Sequence, residues 1–189
     1  AEGKPVVAAL APKTSAQQRG LLYEAHDYTL LSKAANAVFL MTYEWGYVYG
    51  EPQAIAPLPQ VRAVLDYALS VTAGENIFLG APLYAYDWPL PYEKGRTRAE
   101  TFSSQAAVAR ARLVGAEIEF DETARSPCYH YFDKMRREHV VWFEDARSLR
   151  AKIALAAEKG LQGIGFWQAG QELAQAWPLL DALVTLETL

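Results

Sequence analysis

The stretch Phe39-Leu40-Met41-Thr42-Tyr43-Glu44-Trp45-Gly46 runs an apolar segment straight into a phenol, a carboxylate, an indole and a glycine. Aromatic faces stack on sugar rings, and a phenol or carboxylate can hydrogen-bond a hydroxyl, so the chemistry open to this cluster is the holding of a polar ligand. The run Ala37-Val38-Phe39-Leu40-Met41 reads as a strand buried on both faces, the kind found in parallel sheets. Side chains just past the carboxyl end of such a strand lie where parallel α/β folds place their active sites. Taken by itself, the segment reads equally well as a core strand followed by an aromatic-rich loop.

Composition narrows the classes. With 189 residues the chain can bury a substantial core, as one domain or one domain with a sizeable insertion. A net charge of -4 leaves no basic footprint for nucleic acid. No uninterrupted apolar run approaches the roughly 20 residues that span a bilayer, so no membrane insertion is expected. Ala1-Glu2-Gly3-Lys4-Pro5 has no charged-then-apolar signal pattern, although a cleaved signal or a missing upstream segment would leave no trace. The single cysteine, Cys128, excludes an intrachain disulfide and a multi-cysteine zinc site. His26, His130 and His139 lack metal-ligand spacing, and neither a phosphate loop nor a Gly-x-Ser-x-Gly elbow is present. Lys134-Met135-Arg136-Arg137 reads as a solvated turn. An aromatic share of 12%, with 11 Tyr and 5 Trp, tilts the odds toward sugar contacts without deciding them.

The elements that must position these residues alternate. Apolar runs at Pro5 to Ala11, Val38 to Tyr43, Ile77 to Tyr84 and Gly163 to Trp167 read as four strands. Helical spacing appears over Tyr28 to Ala35, over Val61 to Val71 with Gly74 closing it, over Ala146 to Lys159 with Asp145 as N-cap, and over Gln171 to Leu186. Repeated β-then-α of this kind implies parallel strands with right-handed crossovers, an α/β fold. Residues 87–144 break the rhythm with a helix near Ser103 to Leu113 and strands over Ala116 to Phe120, Pro127 to Phe132 and His139 to Phe143. Three antiparallel strands and a helix make a small α+β insertion, leaving 1–86 and 145–189 as the main body.

Met41-Thr42-Tyr43-Glu44, Gly80-Ala81-Pro82-Leu83-Tyr84 and the terminal-strand Trp167 resemble the C-terminal half of a family 18 glycoside hydrolase. Ala56-Pro57-Leu58-Pro59, Leu83-Tyr84-Ala85-Tyr86-Asp87-Trp88, Glu119-Phe120-Asp121-Glu122 and Val141-Trp142-Phe143-Glu144-Asp145 resemble the bacterial spore-cortex-lytic and spore-coat members that act on peptidoglycan. The resemblance implies a (β/α)8 TIM barrel, of which the four strands here are strands five to eight, with the insertion walling a cleft. It also implies cleavage of β-1,4 bonds beside N-acetylated sugars by substrate-assisted catalysis, in an extracellular or spore-envelope setting, with no cofactor and no metal. Residue by residue, it assigns Tyr43 as catalytic, orienting the substrate's acetamide. Glu44, Tyr84, Asp87, Trp142 and Trp167 become substrate-binding groups, with Trp167 flooring the scissile sugar's subsite.

Two departures from the family pattern stand out. Glu44 occupies a position where many family 18 chitinases have aspartate, and one extra methylene moves its carboxylate by more than an ångström. The catalytic motif Asp-x-x-Asp-x-Asp-x-Glu of the fourth strand has no match in this chain. Glu117-Ile118-Glu119-Phe120-Asp121 alternates its acids but reads as a solvent-facing row inside the insertion. Half a site is therefore expected, and three readings follow: a hydrolase acting on chitin-like or peptidoglycan polymers, a carbohydrate-binding module, or a structural half-barrel. A half-barrel would expose an inner face carrying Phe39, Met41, Leu79 and Phe166, to be covered by a second copy in a homodimer or by a missing N-terminal half.

Overall fold

A computed structural model describes residues 3–171 and 173–183. In chain order its elements are β1 (Val7–Leu10), α1 (Tyr28–Ala34), β2 (Ala37–Leu40), α2 (Leu58–Leu69), β3 (Ile77–Pro82), β4 (Tyr84–Pro89), β5 (Glu100–Ser103), α3 (Ser104–Val114), β6 (Glu119–Asp121), β7 (Ser126–Phe132), β8 (Glu138–Trp142), α4 (Ala146–Glu158), β9 (Gly163–Trp167) and α5 (Ala176–Leu183). The fold is mixed α/β with two sheets. One is parallel throughout, in the order β1-β2-β3-β9; the other is antiparallel, in the order β5-β4-β8-β7-β6.

Register decides what each face of the parallel sheet meets. Leu40 pairs with Leu79 and Leu79 with Ile164, while Phe39 pairs with Phe78 and Phe78 with Gly163. The Leu40 and Leu79 face joins Val61, Val64, Leu65 and Ala68 of α2 in the main core, all fully buried. The opposite face is half-buried or exposed at Val7, Phe39 and Phe78. Phe39 fits there because Gly80 and Gly165 carry no side chain: a Cβ on either would come within 2.9 and 2.6 Å of its ring. Leu79 and Phe166, expected on the open face with Phe39 and Met41, instead lie by alternation on the helix-packed side.

The element boundaries shift where local chemistry overrides pattern. The expected third strand, Ile77 to Tyr84, is two strands: β3 stops at Pro82, and Tyr84 opens β4 in the other sheet. Leu83 is the hand-over, donating its N–H to Trp167 O at 2.8 Å while its own carbonyl accepts from Ser104 N–H. The antiparallel sheet consequently has five strands rather than the three expected, because β4 and β5 join it. Helix α2 begins at Leu58, earlier than expected, since Pro59 in its first turn needs no hydrogen-bonded N–H there. Gly74 does not close that helix; it opens a short 3₁₀ turn and lets the Gly160 carbonyl oxygen pass within 2.5 Å of where a Cβ would stand. The last helix is Ala176–Leu183, and the expected residues 172 and 184–186 lie outside the described ones.

The antiparallel sheet is packed on both sides. Tyr84, Tyr86, Trp88 and Val140 enter the main core, whereas Ala85, Tyr129, Val141 and Phe143 pack on Ala107 and Ala111 of α3. Asp145 caps α4 as expected, its carboxylate accepting from the N–H groups of Arg147 and Ser148 and its own N–H donating to Ser148 Oγ at 2.9 Å. One turn further on, Lys152 donates to both carboxylate oxygens of Glu144, at 3.0 and 2.8 Å, with both side chains fully buried. Burial pushes the Glu144 carboxyl upward, and the Lys152 ammonium beside it opposes that.

A buried pair of this kind costs far more to halve than to remove, because halving leaves one charge unpaired in a low-dielectric interior. Lys152→Met should therefore lose about 3–5 kcal/mol of unfolding free energy in urea titration. The double variant Glu144→Gln/Lys152→Met should recover most of the loss, and an additive double variant would contradict the pairing.

Candidate active site

The chain beyond β2 is held at several points. Thr42 Oγ1, fully buried, donates to the Gly80 carbonyl at 2.6 Å and so fastens the end of β2 to β3. Trp45 N–H donates to Ile55 O at 3.1 Å and Gly46 N–H to Ala54 O at 3.0 Å. A Cβ on Gly46 would sit 2.1 Å from Gln53 O, so no other residue fits that approach. Between these anchors Glu44 adopts a left-handed backbone with φ of 71°. A non-glycine residue there costs of order 1–3 kcal/mol, which the anchored loop imposes.

What that conformation achieves is a clasp between the two sheets. Glu44 Oε1 accepts hydrogen bonds from the Tyr84 hydroxyl and, at 2.7 Å, from the Tyr86 hydroxyl, both presented by β4. Among the described residues Oε2 receives no hydrogen bond, and the side chain is exposed. Tyr43, buried, packs edge to face on Tyr84 with ring centroids 6.5 Å apart. Tyr84, Tyr86 and Trp88 continue the row at 5.4 and 5.5 Å, and Trp88 Nε1 donates to the Gly50 carbonyl at 3.0 Å. Trp142 faces the same way as Tyr86, its direct partner across the β4/β8 ladder.

Electrostatics keep these phenols protonated. Burial, reinforced by the neighbouring Glu44 charge, pushes Tyr43 up to about 12. Burial and the Glu44 carboxylate push Tyr84 and Tyr86 higher still. At neutral pH the cluster therefore offers neutral hydroxyl donors around one carboxylate, an arrangement that can orient a polar ligand through Tyr43 and the free oxygen of Glu44.

The structure thus brings Tyr43, Glu44, Tyr84 and Trp142 together. Trp167 ends β9, opposite Pro82, and its carbonyl accepts from Leu83 N–H beside Tyr84; the residue is 52% exposed. Asp87 is not brought in. It is 2% exposed and points to the other face of β4, where Arg110, Tyr131 and His139 occupy its oxygens. The residue that sequence reasoning missed is Tyr86. Its signal was the two-residue alternation Tyr84-Ala85-Tyr86-Asp87-Trp88, which marks Tyr84 and Tyr86 as same-face neighbours and Asp87 as facing away. Among the described residues no group of three His, Cys, Asp or Glu side chains is arranged to hold a metal, and no helix is long and apolar enough to cross a membrane.

A profile described as glycosyl hydrolases family 18 matches residues 3–172. The chain belongs to that family. It is 48% identical over 180 residues to the cortical fragment-lytic enzyme of Bacillus subtilis (strain 168), covering 95% of this chain and 42% of that protein. The crystal structure of the Bacillus cereus spore cortex-lytic enzyme SleL superposes with a TM-score of 0.94 at 42% identity, over 98% of this chain and 43% of that one. A chitinase from Chromobacterium violaceum ATCC 12472 superposes with a TM-score of 0.87 at 23% identity, which is a likeness of fold. This family 18 chain therefore spans less than half the length of its cortex-lytic relatives.

Because burial raises Tyr28, Tyr43, Tyr84, Tyr86, Tyr129 and Tyr131 above the ordinary phenol value of 10.0, the folded chain retains protons that the unfolded chain would release. That contribution to stability is complete below pH 10 and is lost as pH rises through the folded values. In alkaline spectrophotometric titration of this family 18 chain these six tyrosines should ionise in one cooperative step that coincides with loss of the far-ultraviolet signal, and their gradual ionisation while that signal persists would contradict this.

Proposed function

We propose that this chain is the C-terminal portion of a (β/α)8 glycoside hydrolase that cleaves β-1,4 bonds beside N-acetylated sugars, with spore-cortex peptidoglycan or a chitin-like polymer as substrate. The observation that carries the reading is the Glu44 carboxylate, clasped by the Tyr84 and Tyr86 hydroxyls next to the protonated Tyr43 phenol at the carboxyl end of a parallel sheet. The names of the cortex-lytic relatives support both the substrate class and a spore-envelope setting.

In this reading the chemistry is substrate-assisted. The acetamido oxygen of the substrate attacks the anomeric carbon as the glycosidic bond breaks, and the leaving oxygen takes a proton from an acid outside this chain. The oxazolinium ion so formed is then opened by water. Tyr43 donates its hydroxyl to the acetamide and holds it in line, Glu44 accepts from a sugar hydroxyl through its free oxygen, and Trp167 and Trp142 supply floor and wall. The antiparallel sheet with α3 is the insertion that walls the cleft. In a complete enzyme, Tyr43→Phe should lower kcat by about 10²-fold, since the lost hydrogen bond acts on charge developing in the transition state. KM should stay within about twofold, and an unchanged kcat would remove Tyr43 from the reaction.

The absent acid motif favours a second reading for the isolated chain, namely carbohydrate binding without turnover. General-acid catalysis needs a proton donor within hydrogen-bond reach of the leaving oxygen, and Glu44, with Oε1 already accepting two phenols, suits sugar contact better. Among the described residues the parallel sheet ends in two open edges, β1 and β9, and its Phe39 face is half-buried, with Val7 at its margin 45% exposed. An N-terminal half would cover that face in the whole enzyme; alone, a second copy would. Purified, the 189-residue chain should sediment at micromolar concentration above its monomer mass of 21.0 kDa and release no reducing ends from chitin oligomers or cortex fragments. A well-behaved monomer would sink the pairing, and turnover abolished by Glu44→Gln would identify Glu44 as a substitute acid.

A further inference from the structure

We propose that Asp87 is a positioning residue, a buried hub that fixes β4 from below so that Tyr84 and Tyr86 can hold Glu44 from above; this rests on the reading of Glu44 as the sugar-contacting carboxylate. Asp87 follows Tyr86 directly and faces the opposite side of the strand. Its Oδ2 accepts from Arg110 Nη1 at 2.6 Å and from the Tyr131 hydroxyl at 2.6 Å, and its Oδ1 accepts from His139 Nδ1 at 2.7 Å. One carboxylate thereby joins β4 to α3, β7 and β8. Arg110 extends the tie to β5 through Glu100, at 2.7 and 3.0 Å, with its guanidinium lying 4.0 Å over the Phe102 ring. His139 is stacked on Tyr131 at 4.9 Å, and its buried Nε2 faces Asp133 Oδ2 at 3.5 Å without a hydrogen bond.

The Tyr131 hydroxyl and His139 Nδ1 donate to Asp87, and Arg110 divides its donors between Asp87 and Glu100, so removing the charge leaves a phenol and an imidazole competing for acceptors inside the sheet and pulls the guanidinium toward Glu100. The cheapest relief is a shift of β4 against β7 and β8. The phenols cannot escape that shift, because Tyr86 and Asp87 share a peptide bond. Glu44 would feel it at once: its side chain is exposed, its backbone is strained, and Oε1 has no described hydrogen-bond partners other than Tyr84 and Tyr86.

The test labels the 189-residue chain with 3-fluorotyrosine and assigns the Tyr84 and Tyr86 resonances by Tyr→Phe replacement. Glu44→Gln supplies the reference displacement for a weakened clasp. Asp87→Asn should move both resonances in the same direction, and Tyr131→Phe, which removes one donor and no charge, should move them less. Val64→Ala, a stability loss in the α2 core, should leave them in place. Should Asp87→Asn fail to fold, Tyr131→Phe and Arg110→Lys carry the same comparison. Resonances that stay fixed in a folded Asp87→Asn or Tyr131→Phe chain, despite a lowered unfolding midpoint, would make Asp87 a structural residue and overturn the proposal. Binding of chitotetraose is read separately. The parent chain should bind it, with affinity falling about tenfold in Asp87→Asn. A parent that does not bind it would defeat the sugar reading of Glu44 while leaving the resonance result to decide the positioning role.

Discussion

The polar contact that joins the two sheets at the candidate site, and on which its geometry depends, is the Glu44 carboxylate receiving two phenols. Glu44 belongs to the loop leaving the parallel sheet, and Tyr84 and Tyr86 belong to the first strand of the antiparallel one. A carboxylate accepting two hydroxyls in a partly dry site is stronger than an ordinary neutral pair, and it is directional. The surrounding devices serve that geometry: the left-handed turn at Glu44, the Thr42 bond to Gly80, and Gly46 closing on Gln53. Without the clasp Tyr43 would still be buried, but nothing polar beside it would have a set direction.

The same principle governs what lies beneath. Two buried carboxylates, Asp87 in the second sheet and Glu144 just beyond its strand β8, are each matched with a cation, since an unpaired charge there would be prohibitive. Ser104 illustrates how tightly these ties are drawn. Its hydroxyl accepts from Glu144 N–H and donates to the Tyr84 carbonyl, linking the buried ion pair to the backbone of a residue that holds Glu44. A scaffold assembled from charged groups can be rigid without being greatly stabilised by them, and rigidity is what a sugar-orienting site requires.

The chain belongs to family 18, and aromatic groups gather around the carboxyl end of its parallel sheet. The chain matches less than half of its cortex-lytic relatives, and the sheet it forms has a helix-packed face and a face carrying Phe39 over two glycines. Gly80 and Gly165 allow the Phe39 ring to lie close against β3 and β9. Aromatic groups then mark where this sheet gives way to the site: Tyr43 beyond β2, Tyr84 after β3 and Trp167 at the end of β9.

Much of this was legible in the residues. The four parallel strands, the Asp145 cap and Tyr43 at a strand's carboxyl end follow from apolar runs, capping chemistry and motif, all of which are local. The family could likewise be read from short motifs spread over nearly the whole chain. Local signals failed where a neighbour had to choose. Ile77 to Tyr84 looks like one strand because every residue in it is apolar or aromatic; only the two bonds of Leu83, its N–H to Trp167 and its carbonyl from Ser104 N–H, show that it passes from one sheet to the other. Alternation declares that Tyr86 and Asp87 face opposite ways, but not which of them faces the site. That was settled by pairing with β8 and by α3 offering Arg110 on one side, while the loop from β2 offered Glu44 on the other. The sequence sets the parity of a strand, because side chains alternate with a period of two; only the partners that pack against it assign a meaning to each face.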